Sequence, residues 1–268
     1  MGSRATAVAG QFYPASCEEI ESYISRFNTV LDDNDYNSDD ASVTPKAIIV
    51  PHAGYVYSGF TANVAFKTAA EKRDNVKRVV VIGPSHRVYI GGASIALFSS
   101  YDAPCGSLSM DLAGSNVLNE RFDFLHFQPD AHHEHSTEVQ MPFVQHYFPE
   151  AEVVEIVYGE LDYRELSLMI DTLLLEEETL VVISTDLSHF HTQQEANTLD
   201  SLCVQALAEL DIASLEQGCE ACGMIGVKAV IASAKRVMLQ SQVLDYRTSG
   251  DITGDKESVV GYVSALIG

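Results

Sequence analysis

The chain has 268 residues, of which 46% are apolar, and its formal net charge at pH 7 is −22. This length and apolar content allow a large buried core and favour one large α/β domain over two small ones. With 16 Lys and Arg against 38 Asp and Glu, the composition predicts no nucleic-acid partner and no binding to an anionic membrane.

No apolar stretch in the sequence is long enough to span a bilayer, and the N-terminus lacks the basic-then-apolar pattern of a secretory signal. We therefore predict a cytoplasmic protein. An odd number of cysteines in such a chain predicts free thiols or one metal-bound thiolate, because disulfide frameworks belong to oxidising compartments. The cysteines are Cys17, Cys105, Cys203, Cys219 and Cys222.

Helix and strand signals alternate along the first third of the chain. Ser16 and Glu19 have the spacing of a capping box, which predicts a helix that runs to about residue 29. A strand at 47–50, a helix capped by Ser58 and a strand that begins at Arg78 form a strand–helix–strand unit. Its crossover should be right-handed.

The rest of the chain continues this alternation. Short strand-like pieces broken by Gly and Pro between residues 93 and 109 predict a hairpin or an excursion at the sheet edge. The predicted fold class is therefore α/β: a single domain, residues 1–268, with a central, mostly parallel or mixed sheet flanked by helices. Further helices are predicted at 111–119, 136–147, 161–175, 193–210 and 222–239, and further strands at 153–157, 180–183, 243–246 and 258–266.

Three short apolar runs each lead into a histidine. All three consist almost entirely of Val, Ile, Leu and Ala, which is typical of strands covered on both faces. Neighbouring parallel strands release the chain at the same edge of a sheet, so the three histidines are expected to converge there. The runs are 47–50 before His52, 79–82 before His86 and 180–183 before His189.

Converging imidazoles suggest a metal site. Neutral histidine is a common ligand for iron, copper and zinc, and His52 and His86 are the best candidates because each lies close behind its strand. The alternative is that each histidine only caps a strand end through a hydrogen bond. Because three histidines follow apolar runs in the same way, a shared metal site is favoured over separate capping roles.

Two further segments offer candidates for chemistry. His135 ends a histidine-rich stretch before a predicted helix and is expected to have a functional role more than His132 or His133, whose alternative is a solvated loop. Asp186 precedes His189 by three residues, and the two resemble an acid/base pair in which the carboxylate fixes the ring tautomer. A surface turn would also favour an Asp at this position.

Cys219 and Cys222 have the spacing of a redox pair. A redox pair of the thioredoxin type follows a strand, whereas this one follows a predicted short helix at 212–217. Cys222 sits where a helix is expected to begin, which favours a thiolate that serves as a ligand or a nucleophile. The alternative is a small buried apolar residue.

A series of motifs resembles the Memo family, also called AmmeMemoRadiSam system protein B. The match spans nearly the whole chain, in order. Its segments are Val8-Ala-Gly-Gln-Phe-Tyr-Pro14, Pro51-His-Ala-Gly-Tyr-Val-Tyr-Ser-Gly59, Gly83-Pro-Ser-His86, Glu134-His-Ser-Thr-Glu-Val-Gln-Met-Pro-Phe143, Ser184-Thr-Asp-Leu-Ser-His189 and Ala221-Cys-Gly223.

That family is similar in fold to class III extradiol dioxygenases of the LigB type, whose non-haem iron is held by two histidines and a carboxylate. The resemblance implies a LigB-like fold with His52, His86 and Cys222 as metal ligands. It also implies that His189 and Asp186 line the same pocket, with His135 nearby. Cys222 stands where the dioxygenases have a Glu. The implied cofactor is one metal ion, with iron or copper expected before zinc. A thiolate is softer than a carboxylate, which shifts the preference toward copper, zinc or thiolate-ligated iron.

Two functions follow from these expectations. In the first, the protein is a metal-dependent oxidoreductase in which His189 is the acid/base and Asp186 orients it. In the second, the pocket is a catalytically inactive module that binds peptides or partner proteins, as the family's eukaryotic members are associated with phosphotyrosine peptides and cell motility signalling. The pocket ligand is then a small molecule or a peptide. The family name also implies a radical S-adenosylmethionine partner protein.

Overall fold

A mixed β-sheet forms the centre of the computed structural model, which describes residues 2–34 and 36–268. Met1, the first residue of the predicted domain, lies outside the described residues. The sheet strands are β1 (Ala47–Val50), β2 (Arg78–Pro84), β3 (Ala93–Ile95), β6 (Leu125–His126), β7 (Glu152–Tyr158), β8 (Thr179–Ser184), β9 (His189–His191), β10 (Ser241–Thr248) and β11 (Val259–Ile267), and the separate hairpin consists of β4 (Ser100–Ala103) and β5 (Gly106–Ser109).

Helices cover both faces of the sheet. Two short 3-10 helices, Ser38–Asp40 and Pro129–His132, complete the described elements. The α-helices are α1 (Cys17–Asp33), α2 (Tyr55–Lys72), α3 (Leu112–Arg121), α4 (His135–Glu138), α5 (Met141–Tyr147), α6 (Tyr163–Leu174), α7 (Gln193–Glu209), α8 (Ile212–Leu215), α9 (Met224–Arg236) and α10 (Ser249–Thr253).

Within the described residues the sheet has nine strands, eight of which follow the order β10-β11-β1-β8-β2-β7-β3-β6, while β9 pairs with β11. Strands β1, β8, β2 and β7 run parallel to one another, whereas β11 is antiparallel to β1 and β3 is antiparallel to β7. The predicted α/β fold with a mixed sheet is confirmed. The three apolar runs are adjacent parallel strands, so their carboxyl ends share one edge.

Strand β1 is apolar at every position because both of its faces are covered. Ile49 faces a core that contains side chains of α6, α7 and α9, while Ile48 and Val50 face a second core with side chains of α1, α2 and α5. All three isoleucine and valine side chains are fully buried. Strands of this kind read as continuous apolar runs and not as alternating ones.

Most predicted elements are present, and the differences have local causes. Helix α2 begins at Tyr55 after Gly54, not at Ser58, whose hydroxyl donates to the carbonyl of Ala53. The helix predicted at 136–147 is two helices, α4 and α5, because Pro142 has no N–H to continue the backbone ladder.

The cysteines differ from the prediction. Cys17 is joined to Cys105 and Cys203 to Cys219, so the expected set of free thiols was wrong for four of the five cysteines. Only Cys222 carries a free thiol, and Cys219 and Cys222 are not a redox pair. The fold brings together cysteines that are 88 and 16 residues apart, which the number of cysteines cannot show.

Candidate metal centre and pocket

The carboxyl edge of the central strands gathers the candidate ligands. His52 lies two residues after β1, His86 lies two residues after β2, and Cys222 lies just before α9. One donor atom from each of these three side chains lies within 4.8 Å of the other two. The structure therefore brings together the three residues named as metal ligands from the sequence, although they are far apart in the chain.

Ser184 fixes the tautomer of His52. The Ser184 hydroxyl donates its only proton to the carbonyl of Ser136 at 2.5 Å and accepts from Gln140 Nε2 at 3.0 Å. It lies 2.9 Å from His52 Nδ1, so Nδ1 must be the donor in this contact. The Nε2 atom of His52 is therefore an acceptor. Burial, with the neighbouring rings of His86 and His135, lowers the pKa of His52 well below 6.5 and keeps the ring neutral.

Cys222 faces the acceptor nitrogen of His52. Its Sγ lies 3.1 Å from His52 Nε2 and accepts a hydrogen bond from the backbone N–H of Asp186 at 3.2 Å. Burial, with the nearby Asp186 carboxylate, raises the pKa of the Cys222 thiol to about 12. The sulfur thus faces the lone pair of His52 Nε2, and a cation held by both atoms would displace the thiol proton.

Glu134 lies between His86 and His135, and no role for it was predicted from the sequence. Its buried carboxylate accepts from the His86 backbone at 2.6 Å and lies 3.3 Å from His86 Nδ1. His135 Nδ1 lies 2.7 Å from the same carboxylate without a well-directed hydrogen bond. Burial alone would raise the pKa of Glu134, but the nearby His135 ring and the hydrogen bonds from His86 hold that pKa well below its usual range. The position of Glu134 between two histidines, at the N-cap of α4, was the feature of the sequence that could have indicated this role.

His135 completes a cluster of three imidazoles. Its ring centroid lies 4.6 Å from that of His86 and 5.4 Å from that of His52. The other histidines of this stretch lie elsewhere: His132 is buried and contacts Glu155, and His133 is exposed.

Asp186 and His189 line a cavity of about 500 Å³ beside this cluster, together with His135. The Asp186 carboxylate accepts from the backbone N–H of His52 at 2.7 Å. Burial raises the pKa of Asp186 against the effect of hydrogen bonds from the backbone of His52 and Ala53. In the described part of the chain no hydrogen bond joins Asp186 to His189, so the role of Asp186 in orienting that ring stays a prediction.

Aromatic side chains form the walls of the cavity. Phe12, Tyr57 and Tyr262 line it, and Asp255 adds a second carboxylate beside Asp186. Its lining, as far as the chain is described, contains no Lys or Arg. The cavity is therefore suited to a ligand with a flat apolar face and no negative charge.

The segment that carries Phe12 is held by Glu138. The buried carboxylate of Glu138 accepts from the backbone N–H groups of Ala7 and Val8 at 2.7 and 2.9 Å and from the Tyr13 hydroxyl at 2.7 Å. Arg4 forms a buried ion pair with the same carboxylate. The Phe12 ring then packs 4.5 Å from the ring of His135, measured between centroids.

These features define an α/β protein with a histidine–histidine–cysteine donor set at the carboxyl edge of its parallel strands. The family model of the Memo-like protein matches residues 4–266, so the chain belongs to the Memo family. The chain is 33% identical to a MEMO1 family protein of Aquifex aeolicus, with 99% of each chain covered. It is 31% identical to a MEMO1 family protein of Methanobrevibacter smithii, with 98% of this chain and 99% of the relative covered.

No helix among the described residues combines the length and apolarity needed to cross a membrane.

Proposed function

We propose that the protein is a metal-dependent oxidoreductase whose single ion, iron or copper, is held by His52, His86 and Cys222. The observation that supports this proposal is the convergence of the three donor atoms within 4.8 Å of one another. They come from three different segments and meet at the strand edge where α/β proteins place their functional groups.

The donor set fits such an ion. His52 Nε2 carries a lone pair because Ser184 holds the proton on Nδ1. His86 Nδ1 faces the Glu134 carboxylate, which leaves its Nε2 as the ligand atom. Two imidazoles with one soft thiolate favour copper or thiolate-ligated iron, with zinc as the third choice.

The bound ion would supply redox chemistry, and the side chains around it would transfer protons and orient the ligand. His189 lies on the cavity wall, where a neutral imidazole is suited to take a proton from the ligand. His135 stands between the ligand cluster and the Phe12 ring. Phe12, Tyr57 and Tyr262 offer aromatic faces that orient a flat ligand.

A binding module without catalysis is the second candidate, because the same aromatic walls would hold an amino-acid side chain of a peptide or partner protein. The carboxylates of Asp186 and Asp255, with no Lys or Arg in the described lining, disfavour a phosphorylated side chain. We also propose a radical S-adenosylmethionine protein as a partner, because the family name implies one.

Anaerobic purification followed by metal analysis tests the proposal. We expect about one iron or copper per wild-type chain, and a loss of at least about tenfold in His52→Ala, because one of three ligands is removed. His133→Ala, at an exposed histidine, is the matched control and should keep its metal. Metal-free wild-type protein that retains a peptide ligand would instead support the binding module.

A further inference from the structure

Helix α1 and the β4–β5 hairpin meet at two cysteines outside the site described above. Cys17 is the first residue of α1, and Cys105 lies in the turn between β4 and β5. Their Cα atoms are 4.6 Å apart, and both residues are only partly buried. Solvent-borne reductants and ions can therefore reach them.

A carboxylate completes this group. Glu21 follows Cys17 by four residues on α1, so the two side chains lie on the same face of the helix. The donor atoms of Cys17, Glu21 and Cys105 all lie within 4.8 Å of one another. His146, at the end of α5, contacts Glu21 through Nδ1 at 2.8 Å and holds the carboxylate in place.

We propose that the reduced protein binds a zinc ion through Cys17, Cys105 and Glu21. Two thiolates and one carboxylate, with water in the fourth position, are a donor set that zinc accepts in tetrahedral geometry. Zinc–sulfur bonds of about 2.3 Å place two sulfurs about 3.8 Å apart, so the ion and the disulfide exclude each other. The zinc ion then maintains the link between helix and hairpin that the disulfide makes in the oxidised protein.

The disulfide form is converted into the zinc-bound form in two steps, reduction and metal binding. A dithiol reductant delivers two electrons and two protons to the Cys17–Cys105 disulfide, becomes a cyclic disulfide itself, and leaves two protein thiols. Zinc then displaces the two thiol protons to solvent. The Cys203–Cys219 disulfide offers a contrast within the same chain, because among the described residues no group of three clustered metal donors contains either cysteine.

The first experiment uses the wild-type chain. After reduction and removal of the reductant, the rate of alkylation of each cysteine is followed by mass spectrometry with and without added zinc. We expect zinc to slow the alkylation of Cys17 and Cys105 by at least about tenfold and to leave Cys203 and Cys219 unchanged. Equal rates at Cys17 and Cys105 with and without zinc would overturn the proposal.

The second experiment counts bound zinc. In the reduced double variant His52→Ala/Cys222→Ser, which removes two ligands of the proposed redox site, we expect about one zinc per chain. Adding Cys17→Ser and Cys105→Ser should abolish it, whereas adding Cys203→Ser and Cys219→Ser should not. Glu21→Gln should weaken zinc binding by about tenfold, and Glu18→Gln, at an exposed position of the same helix, should not. Zinc that survives the loss of Cys17 and Cys105 contradicts the assignment.

Discussion

The carboxylate of Glu134 holds His86 at two points, the backbone N–H at 2.6 Å and the ring Nδ1 at 3.3 Å. A carboxylate can only accept, so the proton of a neutral His86 ring stays on Nδ1 and its Nε2 is available to a metal ion. The same side chain lies beside the His135 ring. One residue that is not a member of the three-donor set thus orients the His86 ring and contacts the His135 ring.

Glu134→Gln is expected to lower metal affinity by about 10- to 100-fold, because the amide no longer fixes the His86 ring as a carboxylate does. A competition titration against a chelator of known affinity measures this change. Glu120→Gln, at an exposed position of α3, is the control and should bind metal as the wild type does. An unchanged affinity in Glu134→Gln would show that His86 needs no orienting carboxylate.

Ser184→Ala should release the tautomer of His52. In the wild-type protein we expect the imidazole nitrogen shifts of His52 in an NMR spectrum to show a protonated Nδ1, and in the variant a mixture of tautomers. The variant also leaves the amide of Gln140 with one partner fewer, at a cost of about 1–3 kcal/mol in the free energy of unfolding.

Ser264→Ala is the matched control for this change. Ser264 is buried in β11, and its hydroxyl has no hydrogen-bond partner within the described residues. Its removal should therefore leave the free energy of unfolding unchanged or slightly higher. A wild-type spectrum with the proton on Nε2 would disprove the role given to Ser184.

Gly223→Ala is expected to destabilise the loop that carries Cys222. A Cβ atom at this position would lie 2.6 Å from Thr185 Cβ and 2.7 Å from the carbonyl oxygen of Ser184, so the loop has to move away from β8. We expect a loss of about 1–3 kcal/mol in unfolding free energy and weaker metal binding, measured by thermal unfolding and metal titration. Gly91→Ala, whose Cβ would meet only the Tyr89 hydroxyl at 4.0 Å, should leave both quantities unchanged.

Glu155→Gln should change the dependence of stability on acid pH. Burial alone would raise the pKa of Glu155, but the charge and hydrogen bond of His132, with the charge of Arg4, bring that pKa below the usual value. A lowered carboxyl pKa stabilises the fold fully above the unfolded value of about 4.3, and this stabilisation is lost as the pH falls from there through the folded pKa. The amide variant lacks this contribution.

Urea unfolding between pH 3 and 6 measures the effect. We expect the unfolding free energy of Glu155→Gln to fall less steeply below a pH of about 4.3 than that of the wild type. At neutral pH the variant should be less stable by about 1–3 kcal/mol, because the buried His132 ring loses its carboxylate partner while Arg4 keeps Glu138. Glu165→Gln, at an exposed position of α6, should follow the wild-type curve. Parallel curves for all three proteins would contradict the argument.

The sequence predicted the sheet centre and the convergence of its loops because both depend on short-range patterns. The apolar runs that end near His52 and His86 identify strands buried on both faces, and parallel neighbours share an edge. The role of Glu134 was missed because it depends on where α4 packs against the loop after β2. The disulfide partners were missed because they depend on three-dimensional proximity, which the spacing of Cys17 and Cys105 does not encode.

Because Glu138 binds the segment before α1, an N-terminal deletion would also disturb the interior of the protein. Trimming the chain back to Cys17 would remove Arg4, the two backbone N–H groups and the Tyr13 hydroxyl that this carboxylate binds, and would leave it in the interior without those donors. The Phe12 side of the cavity would be lost in the same cut. Ligand binding measured on such shortened proteins would therefore reflect an altered cavity. Ligand screens should use the chain with residues 2–16 present.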